Sequence, residues 1–212
     1  MLSHALTILQ NELETHLTAA YGMPAVSPQV RLGNIAEGVG HTGNPAAVAR
    51  DVLDISMVNI REEKTLKNVP NTVRDDATLR VVYRNPPVFL NFHILVAATH
   101  SSYSNALLVL SRAIKFFQFN NVLDQNSVLP GSITNNAPAN PLDQLATFKL
   151  IFDIYSPTME EVNHLWGTLG GKQYPFVLYT LRLLELSFKA TQAEAGMITT
   201  VITDTFQKSA VS

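Results

Sequence analysis

Residues 86–99, PPVFLNFHILVAAT, constrain this chain more than any other stretch. Val88, Leu90, Phe92, Ile94 and Val96 fall on one side of an extended strand. Phe89, Asn91, His93, Leu95 and Ala97 fall on the other. One face is wholly apolar and the other mixed. That pattern predicts a strand in the middle of a sheet whose apolar face is covered by another layer.

The flanking segments supply the layer. Leu2, Leu6, Leu9, Leu13 and Leu17 recur at steps of four and three, the stripe of a helix, with Ser3 as its cap and Gly22-Met23-Pro24 as its stop. Ser101 or Ser102 is expected to cap a second helix carrying Tyr103, Leu107, Leu110, Ile114 and Phe117. Ser156-Pro157, followed by Glu160 and Glu161, predicts the start of a third, with Met159, Val162, Trp166 and Leu169 as its stripe and Gly170-Gly171 at its end. That spacing makes Trp166 a core residue in preference to an interface anchor.

Strands are expected at 27–35, 52–60, 78–84, 146–155 and 176–188. On the second of these, Leu53, Ile55 and Met57 form the apolar face, with Asp54 and Ser56 opposite. The strand at 78–84 reads as its return strand, so 61–77 becomes the tip of a long hairpin. Residues 33–49 and 119–144 read as loops, the latter rich in Asn, Pro and Gly. The fold class is α+β: a mixed sheet with two or three helices packed mainly on one face.

Chemistry is scarce. With no cysteine, thiolate metal sites, disulfides and a cysteine nucleophile are excluded. The six histidines are scattered without ligand spacing; His93 reads as a core or interface histidine. The loop GVGHTG at 38–43 lacks the strand–turn–helix setting of a phosphate cradle. Glu62-Glu63 and Asp75-Asp76 are adjacent pairs that point to opposite faces of a strand, so neither converges on a site. No catalytic, metal-binding or cofactor-binding residue is assigned, and no cofactor or enzymatic activity is expected.

Charge is informative where it is concentrated. Charged residues are 15% of the chain and the net charge is −2, against roughly 25% charged in an ordinary soluble domain. A surface with little charge repulsion suits a subunit of an assembly; a monomer with a neutral polar surface has the same composition. Arg61, Lys64, Lys67, Arg74, Arg80 and Arg84 are six of the fifteen basic residues, diluted by Glu62, Glu63, Asp75 and Asp76. Tyr83 is the sole aromatic among them, which argues against nucleic acid. Interleaved charges of both signs set register between proteins. The residues expected at a protein interface are therefore Arg61, Glu62, Glu63, Lys64, Lys67 and Asn68.

The tail after Lys189 supplies a second set. MITTVITDTF is β-prone and apolar at Met197, Ile198, Val201, Ile202 and Phe206. Ala190, Ala193, Ala195 and Gly196 are expected to detach it from the last strand. An exposed segment of this kind needs a partner, so Ile198, Val201, Ile202 and Phe206 are expected to add a strand to a neighbour. The N-terminus, MLSHALTILQNELETHL, lacks the basic start of a signal peptide. No run reaches the ~18 apolar residues of a membrane span, and no membrane insertion is expected.

Four segments occur in a telling order: ISMVNIREEKTLKN, NPPVFLNFHILVAAT, YSNALLVLSRAIKFFQ and LIFDIYSPTMEEVNHLWGTLGGKQYPFVLYTLRLLEL. Together they resemble the cap-protein family of phage-tail-like contractile injection systems, the tail terminators at the end of the sheathed tube distal to the baseplate. The resemblance spans residues 1–188 and departs from the family in the less regular 119–144 loop. It implies a tail-terminator-like cap domain over 1–188; the segment 189–212 lies outside the resemblance and is expected, from its own residues, to be an arm. It implies a structural subunit, most simply one of six in a homohexameric ring, that ends the tube and clamps the sheath. Its partners would be itself, the inner-tube protein and the sheath protein, without nucleic acid. It would assemble in the cytoplasm and then remain part of the particle, inside the cell or released. The alternative is a transient assembly chaperone or adaptor of the same particle.

Overall fold

The computed structural model describes residues 1–22, 29–40, 47–65, 70, 72–75, 80–83, 85–186 and 193–196. Its first helix, α1 (Leu2–Tyr21), begins at Met1 and stops at Gly22, whose φ of 61° is left-handed and suits glycine. Ser3 lies inside the helix, where its carbonyl accepts the Thr7 hydroxyl, so it is not the cap expected. Leu6, Leu9, Leu13 and Leu17 of the leucine stripe are buried as read and Leu2 is half-buried, with Ala5 and Ile8 widening the stripe.

Strands β1 (Val30–Leu32), β2 (Leu53–Glu62), β5 (Val88–Ala98), β6 (Val122–Asp124), β7 (Lys149–Tyr155) and β8 (Phe176–Leu186) form one sheet, in the order β1-β2-β5-β8-β7-β6. β1 and β2 are parallel and the other pairings are antiparallel. The PPVFLNFHILVAAT strand is thus central, as its two faces demand. β3 (Thr72–Asp75), β4 (Arg80–Tyr83) and β9 (Ala193–Gly196) form a second sheet of three strands.

This corrects two expectations. Residues 80–83 do not return along β2; they pair with β3 and β9, while β2 takes β5 as its partner. Ala193–Gly196, expected to hold the tail away, is instead a strand of its own subunit.

α1, α2 (Tyr103–Phe119) and the short α3 (Pro130–Thr134) share one face of the large sheet. Under them lie Leu53 and Ile55, the even-numbered side chains Phe92, Ile94 and Val96, and Leu150, Phe152, Tyr179 and Leu181. α2 is rotated from the expected stripe. Ala106, Val109, Leu110, Ala113, Phe116 and Phe117 face the core, whereas Tyr103, Leu107 and Ile114 are exposed. Ser101 serves the Asp51 carboxylate, which accepts its N–H at 2.9 Å, and Ser102 occupies the N-cap position without a side-chain capping bond.

The 119–144 segment is more ordered than its composition predicts. It holds β6, α3 and a 3-10 turn at Pro141–Asp143, and polar groups of α1 tie it down. Buried His4 donates from Nε2 to the Ile133 carbonyl and accepts the Leu145 N–H at Nδ1, each at 2.8 Å. Asn11 donates to the carbonyls of Ser132 and Asn135.

α4 (Met159–Thr168) is the one α-helix among the described residues on the opposite face. There Val162 and Trp166 pack with Leu95, Ala97, Leu178 and the 3-10 turn at Ile35–Glu37. Trp166 is a core residue, edge-on to Phe176 at 5.3 Å. Met159, expected in the stripe, is 76% exposed. Asp54 and Ser56, read as the polar face of β2, are 0% and 4% exposed, because this second layer covers them.

Candidate assembly surface

α4 covers only part of its face of the sheet. The strands β2, β5 and β8 run on past it, where Asn59, Arg61, Asn91, His93, Thr180 and Arg182 give that face a largely polar character. The change of character on β2 comes at a bulge. Met57 pairs with Ile94 but Asn59 pairs with His93, so the strand gains a residue there. Beyond the bulge, Asn59 and Arg61 share a face with His93 and Asn91, and Ile60 turns to the helix face opposite Phe92.

Three interactions knit this uncovered face. Arg182 of β8 meets Asp153 of β7 at 2.9 Å. His93 stacks on Tyr155 with ring centroids 4.8 Å apart, and the Tyr155 hydroxyl donates to Glu161 at 3.1 Å. Glu63 accepts from Asn91 Nδ2 at 2.7 Å, from the Thr65 N–H at 3.1 Å and from its hydroxyl at 2.5 Å.

The electrostatics follow from these partners. The Thr65 and Asn91 hydrogen bonds stabilise the Glu63 carboxylate and pull its pKa down to about 2. Burial, reinforced by the Arg61 charge, lowers that of His93. Glu161 is held low by the Thr158 N–H and then by Tyr155, while the same contact raises Tyr155. The surface therefore carries fixed charges of both signs on a rigid sheet, a suitable basis for docking another protein in one register.

Of the residues expected at an interface, Arg61 and Glu62 end β2, and Glu63 and Lys64 follow it. Arg61 and Glu63 look onto the polar face; Glu62 lies opposite Leu90. Glu63 is a fixed knot where the chain leaves the strand, in contrast to the solvated tip expected. Lys67, Asn68, Ile198, Val201, Ile202 and Phe206 lie outside the described residues. Asp153, Tyr155, Glu161 and Arg182 were missed by sequence reasoning. Asp153 is polar within a strand expected from the sequence, but its partner lies in β8, 29 residues further along.

Two open clefts of about 340 Å³ each flank the sheet. One is lined by Phe89, Asp124, Gln125, Lys149 and Glu185, among others. The other lies between the Ile35–Glu37 turn and the end of α4. In the first, the Asp124 carboxylate is occupied by the N–H groups of Asn126 and Ser127. Among the described residues no group of three or more acidic or histidine side chains is placed to hold a metal ion. No helix among them is long and apolar enough to cross a membrane.

A family model described as the Pvc16 N-terminal domain matches residues 4–200. No curated protein sequence matches the chain. Two cryo-EM structures share its fold. The sheath/tube terminator of an extracellular contractile injection system, PVC, in its extended state is 15% identical, with a TM-score of 0.59 over 97% of this chain and 64% of that one. The tube-terminating cap of the anti-feeding prophage is 13% identical, with a TM-score of 0.57 over 93% of this chain and 60% of that one. The chain thus spans less than two thirds of the length of either. At such identities the likeness is one of fold.

Proposed function

Since the chain belongs to the Pvc16 N-terminal domain family, we propose that it is a structural cap that ends the tube and sheath of a contractile injection particle. The observation that carries this reading is the fold, shared over 97% and 93% of the chain with a sheath/tube terminator and a tube-terminating cap. In this reading no bond is made or broken. The work is done by surfaces that stop polymerisation at a defined length.

The finer reading is a homohexameric ring that contacts the inner-tube and sheath proteins. A closed ring needs heterologous contacts, one patch of each subunit meeting a different patch of the next. The polar sheet face around Arg61, Glu63, Asp153 and Arg182 supplies one surface of mixed charge, and Lys64, Lys67 and Asn68 extend it in sequence. The tail at 189–212, through Ile198, Val201, Ile202 and Phe206, is proposed as an arm to a neighbour. The ring would assemble in the cytoplasm and remain on the particle.

The test is to purify particles made with and without this protein. A cap is found at one end of intact particles in a fixed, sixfold copy number, and its loss gives tubes of irregular length. Particles of normal length without it would sink the cap. A protein needed for assembly but absent from finished particles is the chaperone or adaptor instead.

A further inference from the structure

Among the described residues, two strands of the large sheet have outer edges that are only partly paired. β1 covers β2 from Leu53 to Ile55, and among the described residues no strand pairs with the outer edge of β2 from Met57 to Arg61. At the other side β6 covers β7 from Lys149 to Ile151, and the Phe152 N–H is taken by the Asn121 carbonyl at 2.8 Å. Beyond it, Asp153 to Tyr155 have no outer strand among the described residues. Open edges of this kind are templates for another strand.

The two edges suit each other. β2 is antiparallel to β5, β5 to β8 and β8 to β7, so β2 and β7 run in opposite directions. A rotated copy that sets its β7 beside β2 therefore continues the sheet antiparallel, with its helix layer on the same side. On that side each edge bears an exposed apolar residue: Ile60 is 43% exposed and Ile154 is 61% exposed. Their cross-strand partners, Phe92 and Tyr179, belong to one core. When Ile60 is set opposite Ile154, antiparallel counting puts Arg61 opposite Asp153 on the polar face. Opposite charges directly across a strand pair stabilise it and fix its register.

We propose that β2 of one copy pairs antiparallel with β7 of the next, with Ile60 against Ile154 and Arg61 against Asp153. The contact is head-to-tail, as a ring requires, and it rests on the ring reading above. The occupant of each edge is a second copy of this chain.

The chain has no cysteine, so engineered thiols report the contact cleanly. Residues directly opposite in an antiparallel pair lie within disulfide reach. Ile60→Cys with Ile154→Cys in one chain, oxidised at low concentration, is expected to give a covalent ladder ending at the ring's copy number. Either single variant is expected to give none. A single variant that dimerises overturns the proposal, because the edge then pairs with its own kind. If light scattering finds a ring but the double variant gives no ladder, the edge pairing is overturned and the ring stands. If the wild-type protein is monomeric in solution and a single copy on the particle, both readings fall. Arg61→Glu, a change at an exposed side chain, is the second probe. It is expected to raise the concentration at which the ring dissociates at least tenfold at low salt, with an unchanged melting temperature. An unchanged dissociation concentration overturns the pairing.

Discussion

Asp54 carries a carboxylate into the layer between the sheet and the Ile35–Glu37 turn. Its Oδ2 accepts the Ser56 hydroxyl at 2.5 Å, and its Oδ1 is buried without a hydrogen-bond partner among the described residues. Gly33 stands against it, since a Cβ at that position would run into the carboxylate. The same Ser56 Oγ lies 2.8 Å from the Gly33 carbonyl and shares its one proton between that oxygen and Asp54, so the pair pins the start of the turn. Burial raises the Asp54 pKa from 3.8 to about 6, partly offset by Ser56. The folded protein therefore holds this proton more tightly than the unfolded chain. The stability linked to it is complete below about pH 4 and is lost as pH rises through about 6, a swing of roughly 3 kcal/mol. Asp54→Asn should abolish that dependence. Urea midpoints measured from pH 8 to pH 4 are expected to converge, with the variant relatively more stable at pH 8. Parallel curves would show that Asp54 does not titrate there.

Each element tests a different kind of sequence signal. α4 was legible in outline from its acidic first turn, yet it begins two residues later than Ser156-Pro157 suggested. Thr158 and Glu161 form a reciprocal capping box, which satisfies two amides that Ser156 could not reach. Thr158→Ala should cost about 1 kcal/mol, read as a lower thermal midpoint. α2 was legible as a helix but not in its rotation, because counting large side chains overlooks Ala106 and Ala113, whose small size lets the helix approach the sheet. The pairing of β2 was misread for a different reason. A hairpin partner close in sequence competes with a distant strand, and β5 won because its apolar even face completes the core. The Arg61–Glu63 region was legible as charge; its place on a rigid sheet depends on that distant pairing. Reversal of Arg61, Lys64 and Lys67 to Glu tests the region as an assembly element. Surface changes usually move stability by under about 0.5 kcal/mol. The triple variant is expected to melt within a few degrees of the wild type and to fail at capping. Normal capping, or a large drop in melting temperature, would contradict the assignment.

For the whole molecule the open issue is what the tail contributes to the fold and what it contributes to assembly. The main core draws on residues from Ala5 to Leu184, all before the tail. The small sheet does use it: Ala193–Gly196 pairs with Arg80–Tyr83, and without β9 only the β3–β4 hairpin remains. A two-stranded hairpin is marginal alone in water. Two truncations separate the roles. A chain ending at Gly196 keeps β9 and lacks Ile198, Val201, Ile202 and Phe206. It is expected to melt like the full-length protein and to retain slow amide exchange at Arg80–Tyr83, yet to join the particle poorly. A chain ending at Lys189 lacks β9 as well. Its main sheet should remain folded, since nothing in that core is removed, while exchange at Arg80–Tyr83 speeds up sharply. If the chain ending at Gly196 caps as well as the full-length protein, the last sixteen residues are not the arm proposed, and the neighbour contact rests on the sheet edges alone.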